Sequence, residues 1–327
     1  MFRRLSAFFN PEQYHGWAKR KNFFEGWYCK LVTADEQKAF AFIPGIAMDL
    51  NGKQQAFIQV LDGKNKTAVY HSFLAEQFSA TPHRFSIGVG NNRLSLSELT
   101  LDLPGVSGAV QFHNTVGWPK PFYSPGIMGP FSFVPFMECY HGIVSMDHSL
   151  SGQLMIGAEQ IDFTGGRGYM EKDWGHSFPS AYCWMQSNHF SQPGTSLKCS
   201  VAKIPWLRSS FVGFIAGIWL GDRLIRFTTY NRTRLRKCQV YPGRVEIALE
   251  NSRYTLSVIA HRDTATELAS PIRGMMEGRI EESMTARLDV LLTDKRHKKI
   301  LLQDTGRTAG LEVAGKIEEI IIPPIAP

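Results

Sequence analysis

Long hydrophobic runs are missing from this sequence. No window approaches the roughly 18 uninterrupted apolar residues of a membrane-spanning helix. The most apolar stretch, residues 211–220 (FVGFIAGIWL), is too short to span a bilayer. The opening MFRRLSAFFNPEQYHG is basic, but it has too brief an apolar segment to read as a secretory signal. Cysteine is also scarce. Cys29, Cys139, Cys183, Cys199 and Cys238 make an odd count with no close pair, so neither a disulfide framework nor a zinc or redox spacing is predicted. No metal-ligand spacing is visible, and neither a metal nor a cofactor is expected. These absences fit a reducing compartment, and the chain is expected in the cytoplasm. Helix signals are few as well; only residues 11–19 and 317–322 read as short helices.

What the chain has is a real core and many aromatic rings. Its 327 residues are 43% apolar, 20% charged and 12% aromatic, which suits a globular protein of about two domains rich in strands. The net charge is +7, from 36 Lys and Arg against 29 Asp and Glu. The basic residues are scattered. Only Arg232, Arg234, Arg236 and Lys237, and then residues 295–299, form clusters. These read as solvated loops or edge strands, so nucleic acid is not expected. Peripheral contact with an anionic membrane surface is the second reading of the same charge.

Short strand-like runs alternate with turn signals such as Asp62-Gly and Gly90-Asn-Asn. The spacing predicts successive antiparallel strands. Two similar series fall on either side of residue 160, so domains of 1–160 and 161–327 are predicted. Residues 116–135 interrupt the pattern. Pro119, Pro121, Pro125, Pro130 and Pro135 remove amide donors there, which predicts a long ordered loop.

Residues 163–190 (FTGGRGYMEKDWGHSFPSAYCWMQSNHF) hold the densest set of reactive side chains. Alternation predicts a strand with Tyr169, Glu171 and Asp173 on one face and Met170, Lys172 and Trp174 on the other. Gly175 then breaks the run, and residues 182–190 are expected to return as the second strand of a hairpin. The plain alternative is a polar outer face with an ordinary turn. Glu25, among Phe24, Trp27 and Tyr28, reads equally as an edge charge or as a buried, hydrogen-bonded group. His141 stands alone and reads as structural.

Phe23-Phe-Glu-Gly-Trp-Tyr28 and Gly168-Tyr-Met-Glu-Lys-Asp-Trp-Gly-His-Ser-Phe-Pro179 resemble signature motifs of the tocopherol cyclase family. Trp184-Met-Gln-Ser-Asn-His-Phe190, Ala309-Gly-Leu-Glu-Val-Ala-Gly315 and residues 10–16 are similar to further segments of it. Plant members usually carry asparagine where this chain has Asp173, which moves weight to Glu171. The resemblance implies two tandem lipocalin-like β-barrels, shared more distantly with carotenoid 1,2-hydratases. It also implies a prenylated quinol as substrate, closed to a chromanol.

That chemistry needs an acid strong enough to protonate a trisubstituted alkene in a dry pocket. Glu171 and Asp173 are the candidate acids, with Lys172 and His176 positioning the quinol or taking its proton. Trp27, Tyr28, Trp174 and Trp184 offer aromatic faces to the cation. Glu25, Tyr169 and Asn188 complete the candidate binding set. Two other readings stand beside the cyclase: an isoprenoid hydratase, in which water captures the cation, and a non-catalytic carrier of a hydrophobic ligand.

Overall fold

The structure, a computed structural model, describes residues 2–323. The chain falls into two compact units. The first runs to Phe178 and also takes in Glu267–Arg279; the second holds Pro179–Thr266 and the residues from Ile280 onward.

A twelve-stranded antiparallel sheet builds unit 1. Its strands are β1 (Phe23–Val32), β2 (Ala39–Met48), β3 (Gln54–Asp62), β4 (Thr67–Leu74), β5 (Phe78–Ala80), β6 (Ser86–Val89), β7 (Asn92–Ser95), β8 (Glu98–Leu103), β9 (Val106–His113), β10 (Cys139–Ile156), β11 (Glu159–Asp162) and β12 (Arg167–Gly175). Their order is β4-β3-β2-β1-β12-β10-β9-β8-β7-β6-β5, with β11 on β10. A ten-stranded sheet follows: β13 (Ala181–Ser187), β14 (Thr195–Trp206), β15 (Ser209–Leu220), β16 (Leu224–Thr228), β17 (Arg234–Tyr241), β18 (Arg244–Glu250), β19 (Tyr254–His261), β20 (Thr266–Ile272), β21 (Met275–Asp294) and β22 (Lys299–Gly315). Its order is β16-β15-β14-β13-β22-β21-β19-β18-β17, with β20 on β21.

The period-2 alternation of side chains explains both cores. In β1, Phe23, Trp27, Cys29 and Leu31 enter the first core beside Phe40, Phe42, Phe163 and Met170. In β13, Ala181, Cys183 and Met185 enter the second beside Leu197, Val201 and Phe227. Tyr14 joins the first core from the N-terminal segment, with its ring 5.0 Å from that of Phe78.

Four features differ from the sequence expectation. Closed barrels were expected. Among the described residues the sheet paths end at β4 and β5 and at β16 and β17, and no ladder joins those ends. The architecture is therefore two open antiparallel sheets. In unit 1 the chain leaves β4 through a 3₁₀ turn, Ala75–Gln77, and the short β5 pairs with β6 instead. Second, the expected hairpin does not form. β12 lies between β1 and β10, and β13 lies between β14 and β22 in the other sheet. Third, the units divide after Phe178 and not at residue 160, so the Glu-Lys-Asp-Trp-Gly strand belongs to unit 1. Fourth, the N-terminal helix is Phe2–Phe9 (α1), whereas residues 11–19 and 317–322 yield only 3₁₀ turns at Gly16–Ala18 and Ile317–Glu319. Pro11 follows α1 closely and cannot extend it.

The proline-rich stretch behaves as its composition implies. Residues 114–138 contain no strand, only a 3₁₀ turn at Gly129–Phe133. No helix among the described residues is long and apolar enough to cross a membrane.

Candidate active site

Three neighbouring strands of unit 1 assemble a chain of polar side chains. β12 pairs with β1 so that Tyr28 faces Glu171 and Gly26 faces Asp173. On its other edge β12 pairs with β10, placing Ile143 opposite Glu171 and His141 opposite Asp173. Directly paired residues of an antiparallel ladder share a face. Tyr28, Tyr169, Glu171, Asp173 and His141 therefore converge on one side of the sheet, opposite the core.

Hydrogen bonds and a close N···O approach join them. The Tyr169 hydroxyl donates to Glu171 Oε2. His141 Nε2 lies 3.3 Å from the same oxygen, and its Nδ1 lies 2.7 Å from Asp173 Oδ1. The Cys139 thiol reaches Asp173 Oδ1 at 3.8 Å. Burial is graded along the chain. Tyr169 is fully buried and Glu171 is 4% exposed, whereas the Asp173 side chain is 26% exposed. Burial, then the nearby Glu171 carboxylate, pushes the Tyr169 hydroxyl well above its ordinary pKa. It therefore stays a donor at all working pH values. His141 thus turns Nδ1 to the more exposed Asp173 and Nε2 to the buried Glu171, so one imidazole lies between the two carboxyl groups.

The opposite face of β12 carries a different group. Lys172 and Glu25 form a fully buried ion pair. Lys172 Nζ also donates to the Gln13 carbonyl at 2.6 Å and lies 3.0 Å from His15 Nδ1. Glu25 accepts the backbone N–H of His15 at 2.9 Å and of Gly16 at 3.1 Å. The ammonium lies 4.5 Å from the Trp27 ring centroid and 4.7 Å from that of Trp174. His15 stacks on Trp174 at 4.1 Å. Burial pushes Glu25 upward, but the Lys172 charge and the His15 hydrogen bond outweigh it, and the carboxyl ends below its usual range. Burial pulls Lys172 below 10.5, against the opposing pull of Glu25. A desolvated pair of this kind persists only because further hydrogen bonds satisfy both ions.

The candidate residues thus separate. Glu171, Asp173, Tyr169 and Tyr28 share the polar face. Lys172, Glu25, Trp27 and Trp174 meet on the core face, where the two indoles already hold the Lys172 cation. His176 follows the end of β12, and its backbone N–H donates to the Glu138 carbonyl at 2.9 Å. Its imidazole takes no part in the Tyr169–Glu171–His141–Asp173 chain, and burial, then Lys19, lowers its pKa. Trp184 and Asn188 belong to unit 2. Trp184 lies buried on the non-core face of β13, in register with Glu312, and the Asn188 side chain accepts from Gln186 at 3.3 Å.

His141 is the member that sequence reasoning set aside. Its number is 32 away from that of Asp173, so no local spacing announces it. The one signal was its place in β10, where Cys139, His141 and Ile143 alternate onto one face. His141, Glu171 and Asp173 also offer ligand atoms within 4.8 Å of one another. The fold thus assembles a donor set that spacing did not reveal. In the arrangement seen, however, the two imidazole nitrogens face different carboxylates, which suits a proton better than a single ion bound by all three.

An all-β protein with a carboxyl–imidazole–carboxyl chain, buried at its Glu171 end, is the class these observations define. A family model described as "Tocopherol cyclase-like" matches residues 106–315, more than half of the sequence, and the chain belongs to that family. The "Tocopherol cyclase, chloroplastic" of Zea mays is 22% identical over an alignment covering 92% of this chain and 77% of the maize protein. Among solved structures, CghA with Sch210972 superposes with a TM-score of 0.55 at 10% identity, covering 90% of this chain and 88% of the other. A putative AttH from Nitrosomonas europaea gives 0.51 at 12% identity, with coverages of 90% and 93%. At these identities the structural likeness concerns the fold alone.

Proposed function

We propose that the protein is an acid-catalysed cyclase of a prenylated quinol, with Glu171 as the proton donor. The observation that carries this reading is the bonding of Glu171. It is buried, it accepts from Tyr169, and it lies 3.3 Å from an imidazole whose other nitrogen is held by Asp173. Burial disfavours the charged carboxylate, and His141 Nε2, 3.3 Å away, is a base within reach of the Glu171 proton.

The steps then balance. The Glu171 O–H bond breaks and a C–H bond forms at the less substituted alkene carbon, leaving a tertiary cation. The phenol oxygen attacks that carbon and a C–O bond forms. The phenol proton returns to Glu171, directly or through His141, and the site is reset with no net proton consumed. Tyr28, across the ladder from Glu171, is the aromatic face nearest in register for the cation. Trp27 and Trp174 are engaged by Lys172, so cation stabilisation is assigned to Tyr28 and not to them.

The test is a product assay by mass and chromatography with a prenylated methylbenzoquinol under reducing conditions. Wild type should give an isomer of unchanged mass with chroman mobility. Glu171→Gln should lose at least about a hundredfold in turnover while staying folded, and a chelator should leave wild-type turnover unchanged. A product heavier by one water would replace the cyclase by a hydratase. Retention of intact quinol by wild type and variant alike, without turnover, would leave a carrier.

A further inference from the structure

The proline-rich loop and α1 carry an apolar surface that this chemistry does not use. On the loop, Phe122 is 79% exposed, Tyr123 64%, Phe136 51% and Phe133 46%; Leu5 on α1 is 57% exposed. Folded proteins seldom show several large apolar side chains so close together without a use for them. The surface is also ordered. Phe122 and Tyr123 pack edge to face at 5.4 Å, and Phe8 of α1 meets Phe133 at 5.1 Å, which joins helix and loop. Lys120 ties the loop to the N-terminal segment through Glu12 at 2.7 Å and Asn10 at 3.2 Å. Prolines restrict the backbone between these rings, so holding them outward costs little conformational entropy.

Charge distinguishes the kinds of partner. Residues 2–9 and 115–137 include Arg3, Arg4 and Lys120 but no Asp or Glu, although Lys120 is paired with Glu12 of the N-terminal segment. Exposed Lys19, Arg20 and Lys21 follow in the same N-terminal segment. A second copy of this chain would set cations against cations. An anionic bilayer surface offers the complement, because its headgroups attract the bases and its interfacial layer accepts aromatic rings. The α1 sequence, FRRLSAFF, has the matching pattern, with Leu5, Phe8 and Phe9 recurring at helical spacing and Arg3 and Arg4 just before them.

We infer that α1 and the 115–137 loop form the face by which this protein docks, peripherally and reversibly, on anionic lipid membranes, with Phe122 and Tyr123 entering the interface. The inference rests on this surface alone and stands whatever reaction the protein performs.

Cosedimentation of the full chain with vesicles tests it. The vesicles would be phosphatidylcholine alone, or phosphatidylcholine with about one third phosphatidylserine to supply surface charge. Wild type should bind the anionic vesicles, bind the neutral ones more weakly, and be released by salt. The double variant F122A/Y123A should lose at least about tenfold in partition coefficient, as expected for losing two interfacial rings. Leu207→Ala, which removes an exposed apolar side chain of unit 2, should bind as wild type does. Wild type that stays in the supernatant with anionic vesicles, or a double variant that binds as wild type does, would overturn the proposal. A wild-type dimer that F122A/Y123A converts to monomer in light scattering would overturn it too, by assigning this face to a second copy.

Discussion

Glu171 and Lys172 are adjacent in sequence, and their surroundings give them opposite work. Glu171 touches Tyr169 and His141, which can exchange or steady a proton. Lys172 touches a carboxylate, two indoles and a carbonyl that hold its charge still. Tyr169→Phe removes a hydroxyl donor to Glu171 and should slow turnover by about tenfold, the scale of one hydrogen bond. In a Glu171→Gln background the same change should add little, and single-turnover rates of the four proteins would show whether the two residues act together. His148 supports a prediction about stability. Burial pushes its pKa from 6.5 down to about 3. Between those values the unfolded chain binds a proton that the folded chain refuses, so stability falls as pH falls from 6.5 toward 3. Going from pH 7.5 to 5 should cost about 2 kcal/mol from this residue. His15 and His176, also lowered by burial, act in the same direction. Urea denaturation at both pH values, with His148→Gln beside wild type, measures the share: the variant should lose markedly less on acidification, and equal losses would remove His148 as the cause.

At the scale of elements, β12 is the strand on which both residue clusters depend. Its two-faced character was legible, because alternation is local and depends only on the pleat. Its neighbours were not, because a strand carries no record of which distant strand will pair with it. The sequence suggested β13 as partner, and the structure supplies β1 and β10. The end of β12 is set by Gly175, with φ of 155°, where an added Cβ would lie 2.2 Å from the Glu138 carbonyl oxygen. Gly175→Ala should therefore destabilise unit 1 and loosen β10 against β12, seen as faster amide exchange in both strands. The core face gives a sharper test. Lys172→Met leaves Glu25 buried without its counter-ion and should cost about 3 to 5 kcal/mol. Adding Glu25→Gln should recover part of that loss in chemical denaturation. If the double variant is as unstable as the single one, the ion pair is not what holds residues 13–16 to the sheet.

For the whole molecule, the division after Phe178 has a direct consequence. A fragment of residues 1–160 lacks β12, the strand between β1 and β10, and should aggregate or lack a fixed near-UV spectrum. A fragment of residues 1–178 restores β12 and should regain ordered structure, though less stably than the full chain. The missing stability corresponds to residues 267–279, which give Gln59 its two bonds to Ala269, at 3.0 and 2.9 Å, and give Met48 N–H its acceptor in Gly274 at 3.0 Å. Composition and periodicity by themselves determined an all-β protein of two antiparallel series, an ordered proline loop, and a strand with carboxyls on one face and lysine on the other. These are local properties, set by the pleat, by turn residues and by the missing amide of proline. Only the tertiary structure decided that the sheets stay open, that His141 joins the two carboxyls, that Glu25 and Lys172 neutralise each other in the core, and that residues 267–279 belong with the first unit. Each of those depends on pairing between segments far apart in the chain, and such pairing is selected by the packing of the whole sheet, not by any stretch of sequence within it.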